Sequence, residues 1–536
     1  MSQTMEEEQP LRFALIDLEF DPTRAPASEE AAQLCQRVLQ AVLEYEQTHG
    51  LRKRQRKAVD QGVFERMVSA LVCNVLYQHF LSKRVVALIE GIESEAQQAA
   101  LRRLKRDGRL SDREKARRQK ESKHHRQARQ DWKEQSVHLS LSNRYLGAGL
   151  RRYRHPVMSQ ALPGTVKLMV EAGFLTKTLH GSKAEEGFGF PARQTCIQPD
   201  PRLLDLALTA LRPRNGDGGR PFSPLSHFRH EHILPGGKLE ETIILKSKKE
   251  KGQSERLEYA ESDLTHRYRE EMATINAFLA QADLEALDAA GQPMFQYDTR
   301  QRFLKRHFNN GRFDCGGRLF GGFWMSMPKA HRSAFLRIQG EPVLTLDYGQ
   351  MAPRILYALK AKDKGSIPPV CQDCYEIQGL EGHRKGIKKL LNAALNRGTA
   401  FSRFPDDVKK LFPKVAKVGD IFQAIKEAHP ALAPHLCTDE AVGLEIQFVE
   451  SSIMVDVLLR LYAGTEDGQA PVAALPVHDA VIVPASTEQV AKETMRSVFM
   501  ERTGIDVLVA CSCSDSEEAA GGEKGGAEAM LDNGDS

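Results

Sequence analysis

Two aspartates, Asp347 and Asp479, stand in local settings that suit a carboxylate meant to meet a ligand. In EPVLTLDYGQMAPRILYALKA the run VLTL predicts a β-strand that delivers Asp347 at its end, before a helix that tolerates Pro353 in its first turn. In AALPVHDAVIVPAS two short apolar stretches flank His478 and Asp479, a strand-turn-strand pattern with the carboxylate at a hairpin tip. Ser486 and Gln489 then stand at capping-box spacing for the next helix. Two carboxylates on adjacent strands are what is needed to hold two Mg²⁺ ions roughly 4 Å apart. One ion lowers the pKa of an attacking 3′-hydroxyl and the other steadies a leaving pyrophosphate, with Mn²⁺ a possible substitute. Neither aspartate suffices alone, since Asp also ends strands simply to cap the helix that follows.

Between them lies EGHRKGIKKLLNAALNRGTA, a predicted helix with Arg384, Lys385, Lys388 and Lys389 crowded into its first turns. Cations on one helical face suit a triphosphate, whose charge must be neutralised during transfer. On its own the helix reads as an ordinary solvated face, and its position between the two aspartates is what gives it meaning.

The elements that must hold these residues belong to a chain of 536 residues, 41% hydrophobic, long enough for two to four domains. Its net charge of +4 combines an acidic tail with a strongly basic remainder. No stretch approaches the roughly 18 apolar residues of a membrane span, and MSQTMEEEQP is acidic rather than a basic secretory leader. These features predict a soluble, cytoplasmic protein. Nine scattered cysteines predict reduced thiols. Cys371 and Cys374 have metal-ligand spacing but no second pair at a suitable distance, so chance spacing is favoured over zinc.

Four regions follow along the chain. Residues 1–135 read as helical, with a core-forming stretch around VFERMVSALVCNVLYQHFLSKRVVALIEGI and a basic, apolar-poor arm from Leu101 to Lys133. That arm is either a solvated helix or a flexible segment able to contact phosphates. Residues 136–212 suit a winged helix, an amphipathic helix ending near Gly173 and then two β-prone stretches around a Gly-rich turn, with Lys167, Lys177 and Lys183 nearby. Such a module binds DNA or docks proteins. A loop rich in Arg, Gly and Pro marks a boundary near residues 211–226, residues 225–513 carry the chemistry, and 514–536 form an acidic, Gly-rich tail expected to be disordered. Asp17 and Glu19 in ALIDLEFDP imitate the Asp-x-Glu of a proofreading exonuclease, but without companion acidic motifs they read as a chance surface pair.

LDYGQMAPR resembles motif A of the A-family DNA polymerases, HRKGIKKLLNAALNRG their fingers helix, motif B, and VHDAVIV their motif C. CGGRLFGGFWMSMP is similar to the Thr-Gly-Arg-Leu segment that precedes motif A. The order and approximate spacing agree over about residues 295–505, and single-subunit RNA polymerases share the pattern. The run from FNNGRFDCGG to LDYGQMAPRILYA also resembles uncharacterised proteins of phages and bacterial mobile elements.

The resemblance implies a mixed α/β (α+β) fold with a right-hand palm and reduced helical fingers. It implies metal binding by Asp347, Asp479 and the Tyr348 carbonyl, and triphosphate contact by Arg384 and Lys388, with Lys389 as the alternative if the register shifts by one. It further implies nucleic-acid contacts by Arg318, His478, Gln447 and Arg354, and hence a DNA template, nucleoside triphosphates and an RNA product or primer as partners. Ala352 stands where DNA polymerases have a Glu that blocks the ribose 2′-hydroxyl, and Ala480 where they have a second acid. Both departures lean toward RNA synthesis or relaxed sugar choice. Asn392 and Asn396 stand where a stacking aromatic is expected, which predicts slow or distributive synthesis. The expectation is a template-directed polymerase or primase of a phage or mobile element. The alternative is a DNA-binding replication initiator or regulator with an inactive palm as platform, and a metal phosphohydrolase is a weaker third.

Overall fold

The computed structural model describes residues 19–511, except 108–111, 134, 143–145, 147–149, 151, 180–193, 212–222, 251, 295, 361–366, 406, 439–440 and 465–469. Along much of 92–124 it describes the backbone alone. The protein is of mixed α/β class, about half helical, with several small sheets. It divides into two compact units, one essentially residues 1–240 and the other 241–532. No helix among the described residues is long and apolar enough to cross a membrane.

In the first unit, strand β1 (Arg24–Pro26) leads into helix α1 (Glu29–Thr48), whose N-cap Ser28 accepts a hydrogen bond from the Ala31 amide. α1 buries Ala31, Leu34, Cys35, Val38, Leu39 and Val42, the spacing of one helical face. That face packs on the long helix α2 (Ala58–Asp107), whose residues from Phe64 to Ile89 supply much of this core. The basic arm begins in the last turns of α2 and continues in helix α3 (Asp112–Lys133), which is not wholly solvated, because Ala128 and Trp132 are buried near its end. Strand β2 (Val137–Leu139), helix α4 (Leu162–Glu171), strands β3 (Leu175–Leu179) and β4 (Thr195–Pro199) and helix α5 (Pro201–Ala210) follow. Gly173, at φ +73°, turns the chain out of α4, and the three strands pair in the order β2-β4-β3. The tip between β3 and β4, with Lys183, lies outside the described residues, as do Asp17 and the 514–536 tail. Strand β5 (Phe228–His230) pairs with β1, and residues 225–240, the opening of the expected 225–513 region, fall in the first unit.

The second unit is built on a six-stranded sheet in the order Leu475–Val477, Ala480–Pro484, Glu341–Tyr348, Leu336–Ile338 and Leu284–Ala286, with Val509–Cys511 also paired to Glu341–Tyr348. Here β6 is Ile243–Leu245, α6 Asp263–Gln281, β7 Leu284–Ala286, β8 Lys305–Phe308 and β9 Gly316–Phe320. A short helix α7 (Lys329–Phe335) precedes β10 (Leu336–Ile338) and β11 (Glu341–Tyr348), and α8 (Met351–Lys360) follows. Then come α9 (Arg384–Leu395), α10 (Val418–Ala428) and α11 (Ala441–Ala463). Strands β12 (Leu475–Val477) and β13 (Ala480–Pro484), helix α12 (Glu488–Thr503) and β14 (Val509–Cys511) complete it. A separate three-stranded sheet, β6-β8-β9, holds β9 against α11. β13 is buried along its whole length, and its run Val481, Ile482, Val483 explains why an uninterrupted apolar stretch makes a central strand. Burying each such side chain contributes about 1.5–3 kcal/mol.

One local expectation is corrected. Helix α12 does not begin with a Ser486–Gln489 capping box: a 3₁₀ turn, Ala485–Thr487, intervenes and the N-cap is Thr487. The Ser486 amide instead donates to the Glu341 carboxylate at the start of β11, 3.2 Å away.

Candidate active site

β11 is the strand on which the site is built. β13 pairs along one edge, with Asp347 opposite Ala480, and β14 pairs with the last residues of the other edge, with Asp347 opposite Ala510. The backbone at Asp347 is thus fixed from both sides. Side chains alternate along a strand. Accordingly, Tyr348 points away and its hydroxyl donates to the Met495 carbonyl at 2.9 Å in the core.

β12 and β13 form a hairpin whose two turn residues are His478 and Asp479, since Val477 pairs with Ala480. Because Ala480 faces Asp347, the turn brings Asp479 beside it. His478 takes φ +56° and Gln350, three residues after Asp347, takes φ +60°. Non-glycine residues rarely adopt this region, and strain of this kind concentrates at functional sites. Gln350 is held by its side-chain oxygen, which accepts from the Cys374 amide at 2.8 Å.

Burial and then the neighbouring Asp479 push the Asp347 carboxyl from 3.8 up to about 6, with Lys388, hydrogen bonding at the Tyr348 backbone and Lys329 acting the other way. Asp347 Oδ1 is buried without a hydrogen-bond partner. A desolvated oxygen with no donor beside a second carboxylate is a donor set suited to a hard divalent cation. Among the described residues no three His, Cys, Asp or Glu side chains stand together as a ready-made cage. That is the usual condition of magnesium, which takes one or two carboxylates and completes its shell with water and phosphate.

The basic helix α9 resolves into two directions. Arg384 and Lys388, four residues apart, are both exposed, and Lys388 is the leading cation acting on Asp347. Arg384 Nε lies 2.5 Å from the Asp373 carboxylate, with its guanidinium 5.4 Å from the centre of the Tyr375 ring. Lys389 turns away to bond with Asp407. Of the two lysines left open as alternatives, Lys388 is the one whose charge acts on Asp347, and Lys389 is engaged with Asp407. Asn392, one turn further, has its Oδ1 buried without a partner.

Arg318, on β9, gives two hydrogen bonds to one oxygen of Glu450, from Nε at 2.9 Å and Nη2 at 2.7 Å. Two residues on, the Phe320 ring stands edge-on to His478, 6.2 Å between centroids. His478 is exposed at the hairpin tip, yet the protein packed round it and the Arg318 charge lower its pKa. Ala352 is half-buried at the start of α8 and adds no bulk. Gln447 is half-buried on α11, one turn before Glu450.

Arg354 does not face the site. It is 1% exposed, and its guanidinium donates to the carbonyls of Pro368, Pro369, Val370, Gln372 and Asp506. It clamps a loop and is unavailable to nucleic acid. Cys374 is buried with its thiol pushed up to about 11, first by burial, while Cys371 is exposed.

Glu450 was not anticipated. Burial, against Arg318, pushes its carboxyl up to about 7, and Asp479 and Asp347 both add to the rise. The signal in the sequence was a lone acid in the apolar helix stretch FVESSIMV. Lys329, at the start of α7, was missed because only the fold brings it near Asp347. Comparison with protein-family models and with curated proteins finds no match, so the chemistry of the site rests on its own geometry.

Proposed function

We propose that residues 241–511 form a template-directed nucleotidyltransferase, with the β11–β13 sheet as palm and α9 as a reduced fingers helix. The observation that carries the reading is the pair Asp347 and Asp479: adjacent on one sheet, mutually repelling, with a buried Asp347 oxygen left without a donor. Asp347 and Asp479 would hold Mg²⁺ or Mn²⁺, which when bound lowers the pKa of the attacking hydroxyl and neutralises charge on the phosphates. Lys388 and Arg384 present positive charge along one face of α9 for the triphosphate, the role such clamps have in phosphoryl transfer. Arg384 would exchange Asp373 for a phosphate oxygen. Arg318 and His478 border the same pair and suit the end of a nucleic-acid strand. Ala352 leaves room for a ribose 2′-hydroxyl, so ribonucleotides are accepted. An N-terminal helical and winged-helix-like region would recruit DNA, in replication of a phage or mobile element.

The test is extension of a labelled primer, and de novo synthesis without one, using dNTPs or NTPs with Mg²⁺. Product from the wild type and none from Asp479→Ala supports the enzyme. Salt-sensitive DNA binding by both proteins with no product would instead favour the initiator or regulator with an inactive platform.

A further inference from the structure

We propose that Glu450 is a positioning residue: it fixes Arg318 so that the free edge of its guanidinium meets the end of a nucleic-acid strand beside Asp347 and Asp479. The inference rests on the nucleotidyltransferase reading and adds to it a residue that the motifs do not include.

Three consecutive residues of α11 bind the β8–β9 hairpin. Glu450 takes Arg318 by Nε and Nη2. Ser451 Oγ donates to the Gly316 carbonyl at 3.0 Å, and Ser452 Oγ accepts from Arg306 Nη2 at 2.9 Å. Arg306, 1% exposed, in turn donates through Nε to the Gly317 carbonyl at 3.1 Å. The two backbone carbonyls preceding Arg318 are therefore both fixed. The approach is close enough to require glycine: Gly316 and Gly317 have φ near +79° and +78°, and a Cβ at Gly317 would lie 2.7 Å from Ser451 Oγ. An arginine on a strand pinned this way has little freedom except in its own side chain, and Glu450 removes that.

The bonds to Glu450 use the Nε–Nη2 edge, and Nη1 has no partner among the described residues. The Arg318 side chain is 29% exposed while that of Glu450 is 6% exposed, so the pair presents the donor and conceals the acceptor. Arg318 and Phe320 share a face of β9, and Phe320 touches His478, which places that face toward the hairpin carrying Asp479. Because Glu450 offsets its charge, Arg318 acts as a directed hydrogen-bond donor to an acceptor on a base edge, sugar or phosphate more than as a free cation.

The experiment measures primer–template KM and kcat, with melting temperature alongside, for the full chain carrying Glu450→Ala, Glu450→Gln, Arg318→Ala, and Glu450→Ala with Arg318→Ala. Loss of a fixed charge-assisted donor predicts a rise in KM on the order of tenfold for Glu450→Ala, with kcat within about threefold. Glu450→Gln keeps an acceptor oxygen and restores most of the loss. The double variant is no worse than Arg318→Ala, since Glu450 acts only through Arg318. Additive losses, or an unchanged KM in Glu450→Ala, would overturn the proposal. Should the wild type incorporate nothing, the enzyme reading fails, and the same cycle is read from the Kd of a fluorescent primer–template. Coupled effects on Kd would then uphold the Glu450–Arg318 relationship, and independent effects would overturn it.

Discussion

Asp479 sits at the tip of the hairpin whose next residue, Ala480, pairs with Asp347, and its charge helps to push the Asp347 carboxyl up to about 6. Two carboxylates forced together without a cation cost stability.

Neutralising one of them should therefore relieve the protein while abolishing its chemistry. Asp347→Asn is expected to leave the cation-free melting temperature unchanged or raise it by a few degrees, the relief being on the order of 1–3 kcal/mol. Nucleotide incorporation falls below detection in the same variant. A large drop in melting temperature would show that Asp347 is a structural carboxylate.

The pH dependence has a definite sign. Asp347 rises from 3.8 to about 6 and Glu450 from 4.5 to about 7, both above their ordinary values. Their protonated forms contribute stability that is full below about pH 4 and is lost as pH climbs through 6 to 7. The cation-free protein should thus be less stable at pH 8 than at pH 5 on account of these groups. Mg²⁺, which favours the ionised forms, should raise the melting temperature more at pH 8 than at pH 5.5, as thermal shift with and without Mg²⁺ would measure. An equal Mg²⁺ effect at both values would place cation binding elsewhere.

Lys388 and Lys389 are neighbours in different settings, the first acting on Asp347 and the second paired with Asp407. Lys388→Ala should raise the KM for the nucleoside triphosphate on the order of tenfold or more, from loss of a charge-assisted phosphate contact. Lys389→Ala removes only an exposed ion pair with Asp407 and should stay within about twofold. Steady-state kinetics of the two variants reverse the assignment if the order is the opposite.

Arg354→Met should act on folding, not on nucleic acid. Removing a buried guanidinium that satisfies five carbonyls costs about 3 kcal/mol or more, visible in denaturant unfolding. DNA affinity of the folded protein, by fluorescence anisotropy below the transition, should not change.

Ala352→Glu should cut ribonucleotide use more than deoxyribonucleotide use in competing incorporation assays. An unchanged sugar preference would mean that the half-buried start of α8 does not border the sugar.

How much of this was legible beforehand depended on whether the signal was local. The strand before Asp347 and the His478–Asp479 hairpin could be read because alternation, turn length and apolar runs are properties of adjacent residues. Arg354 was misassigned because a motif position does not reveal that a side chain will be buried under the loop at 368–372. Glu450 was missed for the converse reason. Its meaning arises from Arg318, 132 residues earlier, and from two aspartates on other elements, and one of three acids on a largely apolar helix carries no sign of them. The Ser486 capping box failed because Glu341, from a neighbouring strand, supplied the bond to the Ser486 amide that local spacing had assigned within the helix.

The most direct measurement is incorporation of each of the four nucleotides opposite defined homopolymer templates, by the wild type and by Asp479→Asn. The account predicts that only the complementary nucleotide is added, with pyrophosphate released, and that the variant adds none. Addition that ignores the template, or that persists in Asp479→Asn, would contradict it.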